Sequence, residues 1–157
     1  MSKKNYQALP GKQSKTAKAL IKNADVSLKY STEICNQMRG KMVQKNIEWL
    51  EKIILHETHL PLQMYNKKVG HRRGQAMLGV KAGRYPEKVA KKIITLLELA
   101  KANADFKGLD TEKLLVIHAF ASQGLKRYGH QNKGKIGGKV HLKPSINIEL
   151  VVMEVKS

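Results

Sequence analysis

The stretch that decides the fold is Gln123-Gly124-Leu125-Lys126-Arg127-Tyr128-Gly129-His130-Gln131-Asn132-Lys133-Gly134-Lys135-Ile136-Gly137-Gly138-Lys139-Val140-His141-Leu142-Lys143-Pro144. It holds six lysines and arginines, two histidines, five glycines and no acid. Its few apolar residues, Leu125, Tyr128, Ile136, Val140 and Leu142, cannot close a core of their own. Strand-like runs flank it. Leu114 to Ser122 is rich in apolar residues, and Ile146, Ile148, Leu150 and Val152 alternate with Asn147, Glu149, Val151 and Met153. That alternation is the period of a strand with two unlike faces. Ordinary hairpin loops take about 2–5 residues, so residues 123–144 are too long for a turn and should leave the globular body. Kept extended, each half of about 11 residues would reach roughly 36 Å at about 3.3 Å per residue. Such an arm repels itself when free. Against a polyanion, Arg127 and the lysines can neutralise phosphates, and the glycines let the backbone approach closely. Tyr128 or His130 can stack on an unpaired base. The plainer alternative is a disordered surface loop.

Upstream of these strands the period changes. Pro86 opens a helix over about 86–104, with Val89, Ile93, Leu96, Leu97 and Ala100 as its apolar stripe. Val43, Ile47, Leu50 and Ile54 recur on one face of a helix over 43–57, widened by Trp49 and Ile53. Ser31 offers the N-cap of a further helix, with Ile34, Cys35 and Met38 as its stripe and Gly40 as its stop. Val26, Leu28 and Tyr30 alternate with polar residues and read as a short strand. Between the second and third helices, residues 60–85 lack a sustained period. They carry Lys67, Lys68, Arg72, Arg73, Lys81 and Arg84. A connection this long is usually functional or disordered. Residues 1–24 read as a basic extension, with a short helical turn at Ala17 to Ile21. Residues 25–157 read as a single α+β domain bearing the arm at about 123–144, because strands bracket the helices.

Charge sets the class of partner. The chain has 157 residues, with 30 Lys and Arg against 12 Asp and Glu, formally +18. An excess of this size destabilises a compact fold until a polyanion supplies the counter-charge. Nucleic acid comes first, because cations on phosphates release condensed counterions. An anionic membrane surface is second, and simple solubility is the bland reading. No apolar run approaches the roughly 20 residues of a membrane helix. Cys35 is the single cysteine, so no intrachain disulfide forms. It reads as a small core residue, and a reducing, cytoplasmic setting is expected.

Catalytic patterns are missing. His56-Glu57-Thr58-His59 places its histidines three apart, whereas the zinc motif needs four. They read as surface histidines at a helix end. Gly134-Lys135-Ile136-Gly137-Gly138 lacks the spacing and Lys-Ser/Thr of a phosphate-binding loop. No cofactor, metal site or enzymatic activity is expected.

Several stretches carry a resemblance. They are Arg39-Gly40-Lys41, Gly70-His71-Arg72-Arg73-Gly74, Gly83-Arg84-Tyr85-Pro86 with Lys88, Asn103-Ala104-Asp105-Phe106-Lys107-Gly108-Leu109-Asp110, and Asn147-Ile148-Glu149-Leu150-Val151-Val152. In this order the chain resembles the universal large-subunit ribosomal protein twenty-two family, in its archaeal and eukaryotic branch, over about residues 25–155. The eukaryotic member is also called large-subunit ribosomal protein seventeen. The resemblance implies three helices packed on a small three-stranded antiparallel sheet, with a long projecting β-hairpin at residues 123–144. It implies a structural constituent of the large ribosomal subunit, with the body near the peptide exit and the hairpin lining the exit tunnel. The implied partners are large-subunit rRNA, neighbouring large-subunit proteins, and the nascent polypeptide near the hairpin tip, with no membrane insertion. The residues expected to touch RNA are Arg39, Lys41, Arg72, Arg73, Lys81, Arg84, Lys126, Arg127, Tyr128, His130, Lys133, Lys135 and Lys139. The family's tips are arginine-rich, whereas this tip has only Arg127 and relies on lysine, a mobile point charge rather than a rigid fork. Two other readings stay open on the residues alone: an assembly factor using the same fold off the ribosome, and an RNA-directed enzyme.

Overall fold

The computed structural model describes residues 6–8, 15–72, 78–132, 134–135 and 137–155. In chain order its elements are β1 (Thr16–Ala24), α1 (Leu28–Met38), α2 (Val43–Ile54), β2 (Leu60–Pro61), β3 (Gly83–Arg84), α3 (Glu87–Asp105), a 3-10 turn (Thr111–Lys113), β4 (Leu114–His130) and β5 (Val140–Glu154). The main sheet has the order β1-β5-β4, antiparallel throughout. The expected α+β architecture is present: three helices, a three-stranded sheet and a long β4–β5 hairpin.

Alternation builds the core. On β5, Ile146, Ile148, Leu150 and Val152 face one way and are buried. They meet Ile34 and Met38 of α1, Leu50 and Ile53 of α2, and Ile93, Leu96 and Leu97 of α3 in one apolar cluster. Burying each such Leu or Ile contributes roughly 1.5–3 kcal/mol. α3 packs on β1, α1 on β4, and α2 on α3, so the helices share one side of the sheet. On the other side Glu149 is buried; its carboxylate accepts from the Gln7 backbone N–H at 3.1 Å and pairs with His118 Nε2 at 2.8 Å.

Three local expectations are corrected. The first strand is not at Val26 to Tyr30, since Leu28 and Tyr30 lie in the first turn of α1. Ser31 does not cap that helix. Ser27 holds the cap position without a side-chain bond, and Ser31 lies inside, its hydroxyl donating to Ser27 O at 2.8 Å. The strand is Thr16–Ala24, and Ala17 to Ile21 are extended rather than helical. The β5 edge explains this: seven pairs from Thr16↔Met153 to Ala24↔Ile146 satisfy backbone groups that a helical turn would leave open. Part of the stretch read as a basic extension therefore supplies an edge of the sheet.

The start of the connection from α2 to α3 is held by α1. Buried Glu33 accepts from the backbone N–H groups of Gln63, Met64 and Tyr65 at 3.3, 2.7 and 2.6 Å. Gln37 Nε2 donates to Pro61 O at 2.9 Å. β2 and β3 then pair as a small second sheet. His59 is buried, not a surface histidine, because its ring lies against Gly83, where any side-chain carbon would collide with it.

Candidate nucleic-acid interface

The basic residues singled out in the sequence fall into three groups. At the α1–α2 corner, Gly40 takes a φ of 74°, a left-handed turn that suits glycine. The segment then runs beside β4, with Gly40 N–H donating to Val116 O and Val116 N–H to Lys41 O. Arg39 sits at this turn, and its Nε and one terminal nitrogen both donate to Ala119 O, at 3.0 and 2.8 Å. Its guanidinium therefore braces β4 and presents only its remaining N–H donors outward. Exposed Lys41 lies over the Trp49 ring at 5.5 Å.

The second group surrounds the small sheet. Arg72 Nε and Arg84 both donate to Gly83 O, at 3.1 and 2.8 Å, and Arg84 also reaches Gly70 O at 3.1 Å. The Arg72 guanidinium lies 5.0 Å from the Tyr85 ring, which stacks on His56 at 4.6 Å. Cation–ring and backbone contacts thus gather these two arginines on one knuckle before α3. Exposed Lys81 is beside them, its carbonyl accepting from Arg72 N–H at 2.8 Å. Arg73 lies outside the described residues.

The third group is the arm. β4 and β5 stay paired far beyond the helices: Lys126↔Pro144, Arg127↔Lys143, Tyr128↔Leu142, Gly129↔His141, His130↔Val140. The turn is closed by Gln131 N–H to Lys139 O at 3.0 Å and Gly138 N–H to Gln131 O at 2.8 Å. Lys126, Arg127, Tyr128, His130, Lys135 and Lys139 are all exposed here, with Tyr128 at 73%. Lys133 lies outside the described residues. No acid occurs between Glu112 and Glu149, so the ribbon is cationic along its whole length.

A polar knot fixes the arm's root. Asn23, at a φ of 55°, accepts through its side-chain oxygen from Leu125 N–H at 3.2 Å and Ser145 Oγ–H at 3.0 Å. Its own N–H donates to Asn147 Oδ1 at 2.9 Å. Both β1 and β4 shift register here, between Ile21 and Ala24 and between Gln123 and Lys126. The sequence reading missed Asn23, Glu33 and Gln37, and counted Lys143 in the arm's charge without naming it among the residues expected to touch RNA. Only Lys143 had a signal: counting outward from the turn pairs it with Arg127.

An acid-free cationic ribbon on a small α+β body, with two further basic groups on that body, is the charge arrangement of a polyanion-binding protein. The model of the ribosomal protein L22p/L17e family matches residues 19–153. Among curated relatives, the large ribosomal subunit protein uL22 of Methanococcus vannielii is 34% identical over 98% of this chain and 99% of its own length. That of Methanocaldococcus jannaschii is 39% identical over 89% and 88%, and that of Methanopyrus kandleri 44% over 70% and 69%. The chain belongs to the ribosomal protein L22p/L17e family, alongside its archaeal members. It is accordingly a structural ribosomal protein and not an enzyme.

Proposed function

We propose that the chain binds and stabilises large-subunit rRNA in the cytoplasm, and that its β4–β5 arm lines the nascent-peptide exit tunnel. One observation carries this reading: a paired, exposed and acid-free ribbon extends past the last helix-covered residues of the sheet. An isolated two-stranded ribbon is marginal in water, and this one also repels itself. Enclosure by folded RNA supplies both the counter-charge and the packing it lacks. Most contacts would be to phosphate and sugar, which position rather than specify. Neighbouring large-subunit proteins would flank the body, and the turn at Gln131 to Lys139 would meet the nascent polypeptide. Among the described residues no helix is long and apolar enough to cross a membrane.

Sedimentation of cell lysate through sucrose at rising salt tests this. The chain should remain with large subunits and polysomes in stoichiometric amount after a high-salt wash. Release into the light fractions would point instead to an assembly factor or a general RNA binder.

A further inference from the structure

We propose that the arm meets RNA phosphodiesters through one of its two faces, the face carrying Arg127, Lys143 and His141, and turns its Tyr128–Leu142 face away from them. This rests on the rRNA-binding reading and names the side of the arm that makes the contact.

Register defines the faces. Directly paired residues of an antiparallel ribbon share a face, and successive residues alternate. One face therefore holds Lys126 with Pro144, Tyr128 with Leu142, and His130 with Val140. The other holds Arg127 with Lys143, and Gly129 with His141. His141 Nε2 lies 3.1 Å from Gln131 Oε1, which places the next residue outward on this second face too.

The apolar face continues the core. Along β5 every second residue from Val152 inward to Ile146 is buried under the helices, and the same row runs on through Pro144, Leu142 and Val140 into the open. β4 joins this pattern only because it bulges. Ala119 and Ala121 point into the core opposite Leu150 and Ile148, yet beyond the register shift the even-numbered residues face that way. A one-residue slip moves every following side chain to the other face. The extra residue at Gly124–Leu125 thus puts Tyr128 beside Leu142 and Arg127 beside Lys143.

The second face is built for an anion. Like charges directly opposite each other destabilise a ribbon, and Arg127 and Lys143 are such a pair. Neither has an ion-pair partner among the described residues. Gly129 makes room for one of them: a side-chain carbon there would lie 3.2 Å from Lys143 Cε, so the lysine stem lies across the glycine. Beside the pair opens a notch of about 270 Å³ lined by Asn23, Asp25, Arg127, Lys143, Pro144 and Ser145. Its carboxylate, Asp25, is already matched by Lys88 at 2.8 Å. The Lys88 hydrogen bond and charge, with Lys143 behind them, hold Asp25 below the usual carboxylate range. A phosphate between Arg127 and Lys143 relieves their repulsion. On the opposite face Lys126 stands across from Pro144 and His130 across from Val140, so a phosphate there would meet no directly opposed pair of cations.

The test is the salt dependence of binding to deproteinised archaeal large-subunit rRNA, using the full chain. Each lost phosphate contact lowers the slope of log K against log salt by about 0.7–0.9. Arg127→Ala and Lys143→Ala should each lower it by about that much. Leu142→Lys adds a charge on the other face and should leave the slope unchanged. All three are exposed, and a thermal melt checks that each variant folds. Unchanged slopes in Arg127→Ala and Lys143→Ala, or a steeper slope in Leu142→Lys, overturn the one-faced arm while leaving rRNA binding intact. Absence of saturable binding by the unmodified chain overturns both.

Discussion

Asn23, Gly124 and Arg39 show how single residues tie the arm to the body. A methyl on Gly124 would sit 3.0 Å from both Asn23 Oδ1 and Ser145 Oγ and 3.1 Å from Asn147 Oδ1. These atoms already hold one another, so Gly124→Ala should cost about 1–3 kcal/mol. A thermal melt should show this as a fall of several degrees. Arg39 and Arg127 looked alike in the sequence, but only Arg39 spends two donors on a β4 carbonyl. Arg39→Ala should destabilise the free protein by about 1–3 kcal/mol, whereas Arg127→Ala, which relieves a repulsion, should not lower its melting temperature. Equal melts for the two would contradict the bracing role. Cys35 gives a pH signature. Burial chiefly pushes its thiol from 9.0 up to about 12, with Arg39 opposing and Glu149 adding. The folded state therefore holds the proton more tightly than the unfolded one. The resulting stability is complete below about pH 9 and is lost as pH rises toward about 12, at roughly 1.4 kcal/mol per unit. Denaturant titrations at pH 8 and pH 10 should show Cys35→Ala losing less stability over that interval than the native chain.

At the scale of elements, α2, α3, the inner halves of β4 and β5, and the arm were legible, because each keeps one period over many residues. Val89, Ile93, Leu96, Leu97 and Ala100 are all buried as their spacing required. β1 was not legible. Thr16–Ala24 mixes alanines with Lys18 and Lys22, and lysines belong on an exposed edge strand as naturally as on a tail. Its partner lies at the far end of the chain, where no local pattern can report it. The alternation of Val26, Leu28 and Tyr30 misled because three residues are too few to separate a strand from the start of a helix. The α2–α3 connection was opaque for another reason: its order comes from Glu33 and Gln37 on α1, distant in sequence. Two excisions test these assignments by circular dichroism. Removing residues 1–24 should abolish cooperative unfolding, since the sheet loses an edge. Replacing Lys126 to Lys143 with a two-residue Asn-Gly turn should leave the body folded, since nearly every residue described there is exposed. A folded truncation, or an unfolded arm deletion, would contradict the element boundaries.

For the whole molecule, a charge of +18 and an apolar cluster shared by three helices and one sheet face pull in opposite directions. The cluster folds the body, while the charge seeks an external anion. The class of partner was legible from composition, and the family from ordered motifs such as Gly83-Arg84-Tyr85-Pro86. The division of the arm into two faces was not, because it depends on a bulge that shifts β4 by one residue. Family membership makes the chain a structural ribosomal protein; completion of its arm by rRNA is the proposal beyond that. A cryo-electron microscopy map of large subunits from cells expressing this chain tests that most directly. The expected map shows density for the body on the subunit, the arm within rRNA beside the exit tunnel, and phosphates against Arg127 and Lys143. Subunits lacking the chain, or an arm that ends in open solvent, would contradict it.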